Sequence, residues 1–327
     1  MNKNESTVAL IDLLGFSNLV SNHFQDAKDV LNDFYNIVYN HRTFASENHI
    51  KTILISDSLI AYSDNKVKII PYLAKIYRDC LLKTNEYSNP NKYLLPRGGI
   101  SFGKVYSEDR FETPELAKQF IVSPALVHTS KIEKSFKGSR LIVSIENETT
   151  DKIDIFWNRE SESIFYKENT TIDKNFTYYD ILWFEDLTTP SSNKKEQLEE
   201  NLKIAITLLI RNQTLSEVYL TQYIETVRIG LISYSKYLNF RFEFPNFILN
   251  LFNENFLEEK FWRLWVAIIE SFLLIHDAKW AEANSTFQKF YNTIVISKGW
   301  DKAIDFLHQP NQKEILTRLK NFSGKLS

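Results

Sequence analysis

Asp12 and Asp57 are the residues of this chain best placed to do chemistry. Asp12 closes the apolar run Val8-Ala9-Leu10-Ile11, and Asp57 interrupts a second one, Ile53-Leu54-Ile55-Ser56-Asp57-Ser58-Leu59-Ile60. An aspartate at the end of a buried strand is costly to desolvate unless a proton, a partner or a metal compensates it. Two such strand ends point to one shared metal site. The residues after Asp12 extend the pattern: Gly15 lets the backbone turn tightly, and Ser17 is placed to cap a helix whose exposed N–H groups would face a polyphosphate. Each feature also has a plainer account. Aspartate is common in tight hairpin turns, and a glycine followed by a serine is an ordinary way to start a helix.

A third segment, Leu95-Pro96-Arg97-Gly98-Gly99-Ile100-Ser101-Phe102-Gly103-Lys104-Val105, follows in order. With it the chain resembles the class III nucleotide cyclases. In that family a strand–Asp–x–x–Gly–Phe opening, a hairpin with a second aspartate and an Arg-x-Gly-Ile-x-x-Gly strand recur in the same order. The resemblance is nearest to the bacterial pyrimidine cyclases of antiphage Pycsar systems, whose hairpin reads Ser-Asp-Ser, as Ser56-Asp57-Ser58 does here. It spans residues 5 to 185.

The resemblance implies a reaction and a cast of residues. Asp12 and Asp57 would bridge two divalent ions, with the Leu13 carbonyl as a further ligand. Magnesium or manganese is expected, because an all-oxygen site suits hard ions that keep waters and phosphate ligands. Leu14, Gly15, Phe16 and Ser17 would offer backbone amides to the β- and γ-phosphates, and Arg97 would bind substrate. The product would be a 3′,5′-cyclic nucleotide formed from a nucleoside triphosphate with loss of pyrophosphate. Purine cyclases carry a base-reading lysine four residues before the second aspartate; Ile53 stands there, which implies UTP or CTP as substrate. Strand alternation sets Lys51 on the face of Ile53 and Asp57, within reach of base or sugar, although an edge lysine is commonly just solvated.

The helix Ser123-Pro124-Ala125-Leu126-Val127-His128-Thr129-Ser130-Lys131-Ile132-Glu133 takes the place where purine cyclases carry an asparagine and, four residues later, an arginine. Val127 and Lys131 stand there. Lysine supplies charge without the bidentate fork of arginine. Either Lys131, or a neighbour such as Lys134 or Arg140, carries the phosphate charge in a divergent site, or the site has lost activity and serves as a nucleotide-sensing scaffold. His128 is expected at a surface or interface. Family members split each site between two subunits, so a homodimer with shared active sites is implied. An adenylate or guanylate cyclase is the runner-up reading, separated by product.

Bulk properties agree with a small-molecule or protein partner. The 327-residue chain is 43% hydrophobic with a formal net charge of −2, which does not mark a binder of nucleic acid or a membrane surface, since either favours a basic face or tail. The single cysteine, Cys80, excludes an internal disulfide framework and fits a reducing compartment. No window reaches about 18 uncharged apolar residues, and the polar start Met1-Asn2-Lys3-Asn4-Glu5 has no signal-peptide character. A cytoplasmic protein is expected.

The elements needed to position these residues follow from periodicity. Residues 7–13 read as a strand buried on both faces, 26–44 as a helix, 51–63 as a hairpin, 67–82 as a second helix and 83–92 as a polar loop. A strand at 97–106, a helix at 124–136, a strand at 140–145 and a hairpin over 152–165 complete an α+β, ferredoxin-like βαββαβ plan. Catalytic residues 1–187 are expected to precede a linker at 188–196 and an all-α regulatory or assembly domain at 197–327. That domain shows helical spacing through Phe261, Leu264, Trp265, Ile268, Ile269 and Phe272. It also holds Trp262, Trp265, Trp280 and Trp300 of the 6 tryptophans.

Overall fold

Strand β1 (Glu5–Leu13) forms because Val8-Ala9-Leu10-Ile11 is an apolar run with β-branched Thr7, Val8 and Ile11, and it becomes an interior strand of the molecule's main sheet. The computed structural model describes residues 5–65, 68–89, 92–109, 119–147, 164–168, 172–186, 193–237, 256, 258–273 and 302. The chain divides into two compact units, Met1–Thr189 and Pro190–Ser327.

In the first unit β1 is followed by α1 (Phe16–Asn22), α2 (Phe24–Asn40), α3 (Arg42–Glu47), β2 (Lys51–Ile55), β3 (Ser58–Ser63), α4 (Ile69–Glu86) and β4 (Pro96–Lys104). β5 (Tyr106–Asp109), β6 (Gln119–Val122), α5 (Pro124–Ser135), β7 (Leu141–Glu146), β8 (Phe165–Lys167) and β9 (Phe176–Ile181) complete it. The main sheet has the order β2-β3-β1-β4-β7-β9-β8, and β5 pairs only with β6. The pairings β1–β3, β1–β4 and β2–β3 are antiparallel, which gives the ferredoxin-like order for the first four strands. α5 then crosses over to β7, which lies parallel to β4.

The two faces of this sheet differ. One face of β1 and β3 presents Ala9, Ile11, Leu59 and Ala61, all fully buried, and Tyr72 of α4 lies beside Thr52 of β2 on this face. On the other face Leu10, Asp12, Ser58 and Tyr62 are only partly covered. β1 is thus buried on both faces at Val8 and Ala9, as its composition suggests, but only partly covered on the second face at Leu10 and Asp12. On the side of α4 burial is complete over β1 and β3 at Ala9, Ile11, Leu59 and Ala61, and the opposite side is covered by α5 chiefly over β4 and β1.

Two glycines allow α5 its close seat. A Cβ at Gly99 would lie 2.8 Å from Ile132 Cβ and Cγ2, and one at Gly103 would lie 3.3 Å from Ala125 Cβ. α5 begins at Ser123, whose hydroxyl accepts from the Leu126 amide at 3.3 Å, with Pro124 in the first turn. Beneath it Ile132, Phe136, Ile142 and Tyr178 form a buried cluster.

Several element limits differ from expectation for local reasons. The helix at 26–44 is broken at His41 into α2 and α3. α4 runs on to Glu86, because Thr84 is buried and its hydroxyl bonds the Cys80 and Leu94 carbonyls, so the loop starts later than position 83. The strand at 97–106 ends at Lys104, and the β5–β6 ribbon and β9 were not anticipated. Most of the hairpin over 152–165 lies outside the described residues.

In the second unit α6 (Lys194–Arg211) packs on α7 (Glu217–Tyr237), and α7 packs on α8 (Trp262–Leu273). The linker expected at 188–196 overlaps the start of α6, while 188–192 lie outside the described residues. Phe261, Leu264, Trp265 and Ile268 are buried together, and the side chains of Ile269 and Phe272, like Trp280 and Trp300, are outside the description. Arg228 joins α7 to α8 through a bidentate pair with Glu270 at 2.7 and 2.9 Å.

Gly99→Ala is expected to destabilise the fold by about 1–3 kcal/mol through overpacking against Ile132, and Gly103→Ala by clearly less. Urea unfolding of the two variants checks the order; equal losses would mean that α5 adjusts freely.

Candidate active site

Strand register brings Asp12 opposite Ser58 on β3 and opposite Arg97 on β4, so three polar side chains stand in one row on the half-open face. Ser58 Oγ donates to Asp12 Oδ1 at 3.0 Å. The hairpin turn that carries Asp57 is folded back against this row. The Leu13 amide donates to the Asp57 carbonyl at 3.2 Å, and Tyr35 Oη donates to the Ser56 carbonyl at 3.1 Å. Ser56 takes a positive φ of 52°, a conformation unusual for a residue with a side chain, in order to make this two-residue turn.

Arg97 is fixed from both neighbours. Ser139 Oγ donates to the Pro96 carbonyl at 2.6 Å, and the Gly98 amide donates to the Arg140 carbonyl at 2.9 Å. The Arg140 side chain is itself buried, bound through Nε to Asp180 Oδ1 at 2.9 Å and through Nη2 to Asp180 Oδ2 and to Glu168 Oε1. Arg140 therefore serves the interior and is not a free cation for a phosphate.

The row carries excess negative charge. Burial is the largest cause raising the Asp12 carboxyl to about 6, followed by the nearby charge of Asp57; Glu133 adds to the rise, while the Ser58 hydrogen bond and Arg97 oppose it. Arg97 Nη2 lies 4.0 Å from Asp12 Oδ2 and so balances Asp12 only in part. Among the described residues no cluster of three or more His, Cys, Asp or Glu side chains forms a metal cage. Two carboxylates and a strand-end carbonyl fit magnesium or manganese, which complete their coordination with waters and substrate phosphates rather than with protein alone.

The turn after Asp12 differs in detail from expectation. Gly15 adopts a left-handed φ of 71° and is itself the N-cap of α1, so Ser17 lies inside the helix and caps nothing. The Leu14 amide donates to the Leu95 carbonyl at 2.9 Å and is not available to a phosphate. Phe16 is buried. Tyr93 closes over the turn: a Cβ on Gly15 would lie 2.1 Å from its hydroxyl oxygen. Tyr93 was not anticipated, since nothing in the sequence around it links it to Gly15.

Other expected residues lie apart from the carboxylates. Lys51 is exposed at the far end of β2, about 13 Å of strand from Ile55, with its ammonium 5.9 Å from the Tyr62 ring centroid. Ile53 is half-buried opposite Ile60. Val127 and Lys131 are on the exposed face of α5, whereas Thr129, Ile132 and Glu133 are on its buried face. Lys131 is exposed on the helix face opposite Glu133. His128 stacks on Phe176 with centroids 4.1 Å apart, and burial lowers its pKa.

Glu133 is the residue that sequence reasoning missed. It is buried, and its Oε1 lies 2.5 Å from Arg97 Nε. Its only sequence signal is a carboxylate directly after the apolar Ile132 on the inward face of a helix.

No protein-family model matches the chain, and no curated protein matches it. Among solved structures it is similar to the guanylyl cyclase Cya2, at 13% identity and TM-score 0.42, over 54% of this chain and 91% of that one. It is similar to the adenylyl cyclase CyaB from P. aeruginosa, at 13% identity and TM-score 0.40, over 58% and 96%. A bacterial light-regulated adenylyl cyclase matches at 13% identity and TM-score 0.42, over 61% and 98%.

The elevated Asp12 pKa predicts a pH dependence of stability. A carboxyl whose folded pKa lies above its unfolded value near 3.8 stabilises the fold below that value, and the benefit is lost as pH rises through about 6. In chelator, the melting temperature of the wild type should therefore fall relative to that of Asp12→Asn between pH 4 and 7. Manganese should restore the wild type alone at pH 7.5. A difference between the two proteins that stays flat across this range would contradict the charge assignment.

Proposed function

We propose that the chain is a metal-dependent nucleotidyl cyclase that converts UTP or CTP to its 3′,5′-cyclic monophosphate and releases pyrophosphate. The observation that carries this reading is the row Ser58–Asp12–Arg97 with the Asp57 turn folded onto it: two carboxylates in one electrostatic unit beside a guanidinium, on the half-open face of a sheet. Magnesium or manganese bound by Asp12 and Asp57 would neutralise the attacking 3′-oxygen and the leaving pyrophosphate oxygen. In the reaction the 3′-hydroxyl gives its proton to solvent water, its oxygen bonds to the α-phosphorus, and the bond from that phosphorus to the α–β bridging oxygen breaks, the electron pair leaving with pyrophosphate. Arg97 would orient a phosphate group by charge-assisted hydrogen bonds. Support for a pyrimidine comes from Ile53 at the base-reading position and from the Ser56-Asp57-Ser58 hairpin, and the same hairpin motivates a role as second-messenger synthase in antiphage defence.

A homodimer belongs to this reading. Ile55, Tyr106, Val122 and Val127 are apolar and more than half exposed, and Lys131 stands beside Val127 on the outward face of α5, turned toward where a second copy would offer its own Asp12 row. The orientation of Val127 and Lys131 also motivates the rival reading of an inactive nucleotide-sensing scaffold. An adenylate or guanylate cyclase differs only in base.

Incubation of the purified protein with ATP, GTP, CTP and UTP plus manganese, with products resolved by mass spectrometry, separates these. A cyclic pyrimidine nucleotide is expected, lost by a factor of about 100 or more in Asp57→Asn. A cyclic purine product would move the reading to the runner-up. Tight nucleotide binding without turnover, indifferent to Asp57→Asn, would favour the scaffold.

A further inference from the structure

Glu133 is a buried carboxylate with 6% of its surface exposed, on a helix face otherwise made of Ala125, Thr129 and Ile132. Its site is set by packing. Ile132 rests on Gly99, so the next residue along the helix arrives over Arg97, two positions earlier on the same face of β4. Burying such a pair gives no dependable gain in stability, since apolar residues of similar size often serve as well or better. Its geometry is more telling than its energy. Glu133 Oε1 meets Arg97 at Nε, at 2.5 Å, whereas Nη2 lies 4.0 Å from Asp12 Oδ2, beyond hydrogen-bond distance. Neither Nε nor Oε1 has an aligned hydrogen-bond partner, so charge and close approach hold the pair. Two carboxylates, Asp12 and Glu133, flank this one guanidinium.

We propose that Glu133 is a positioning residue that holds Arg97 by Nε and thereby turns the Nη2 end of the fork toward the Asp12 row, where a phosphate of a nucleoside triphosphate is received. The assignment of the ligand rests on the cyclase reading; the pairing itself does not. Without Glu133, Arg97 would collapse onto Asp12, its remaining carboxylate neighbour across the strand pair, and the presented fork would be lost. Glu133 acts through Arg97 and touches no reacting atom.

The test has two arms. In the first, binding of α,β-methylene UTP and α,β-methylene CTP with manganese is measured by calorimetry on wild type, Glu133→Gln, Arg97→Ala and the double variant. Glu133→Gln and Arg97→Ala should each weaken binding about tenfold, and the double variant no further, because both remove one presented fork. Glu133→Asp, which keeps the charge, should recover part of the loss. A double variant that shows the product of the two losses, about 100-fold, would overturn the proposal. In the second arm the ligand-free protein is labelled with 15N-arginine, and the Arg97 Nε–Hε resonance is identified by its disappearance in Arg97→Lys. That resonance should shift in Glu133→Gln; an unchanged resonance would overturn the pairing. If the wild type binds neither analogue, the nucleotide reading fails while the resonance still decides the pairing. Far-UV circular dichroism and melting temperature separate either result from simple misfolding.

Discussion

The charge balance around Asp12 is the constraint on which the rest of the site depends. A carboxylate at a strand end, partly buried and facing a second carboxylate, is held by one serine hydroxyl and by an arginine that does not quite reach it. Each surrounding element secures one member of that balance. The β2–β3 turn fixes Asp57 through the Leu13 amide, Ser139 and Arg140 fix the backbone on either side of Arg97, and α5 brings Glu133. A cation arriving with phosphate oxygens would relieve the imbalance, whereas packing alone cannot.

The architecture explains how such charges are tolerated. The ferredoxin-like core buries one face of β1 and β3 through Ala9, Ile11, Leu59 and Ala61, and that burial supplies hydrophobic stabilisation. The other face is covered by α5 only in part, which leaves Leu10, Asp12, Ser58 and Tyr62 between protein and solvent. Desolvation there is strong enough to raise a carboxyl and incomplete enough to admit a ligand. α5 serves two directions at once: its inward face carries Glu133 to Arg97, and its outward face displays Val127 and Lys131.

Much of the fold's first half was legible because strand and helix periods there are clean. The β2–β3 hairpin at 51–63, α4 and α5 are present with shifts of a few residues at their ends, where side-chain bonds such as that of Thr84 decide the boundary. The β5–β6 ribbon and β9 were not legible, since short aromatic strands carry little periodic signal. Arg140 shows the limit most plainly. As a residue type it suited a phosphate, yet the fold places it between Asp180 and Glu168, residues far along the chain that no local pattern connects to it.

By itself the sequence determined which residues are anomalous: acids at the ends of apolar runs, and an arginine before two glycines. Such anomalies are local, because the cost of burying a charge is visible from its immediate neighbours. Only the tertiary structure decided which anomalies meet. Asp12, Ser58 and Arg97 share a row because of register, and Glu133 faces inward while Lys131, two residues away, faces out, because helix position about its axis is set by packing against Gly99. Strand register and helix rotation are properties of the packed core, and a single stretch of chain does not contain them.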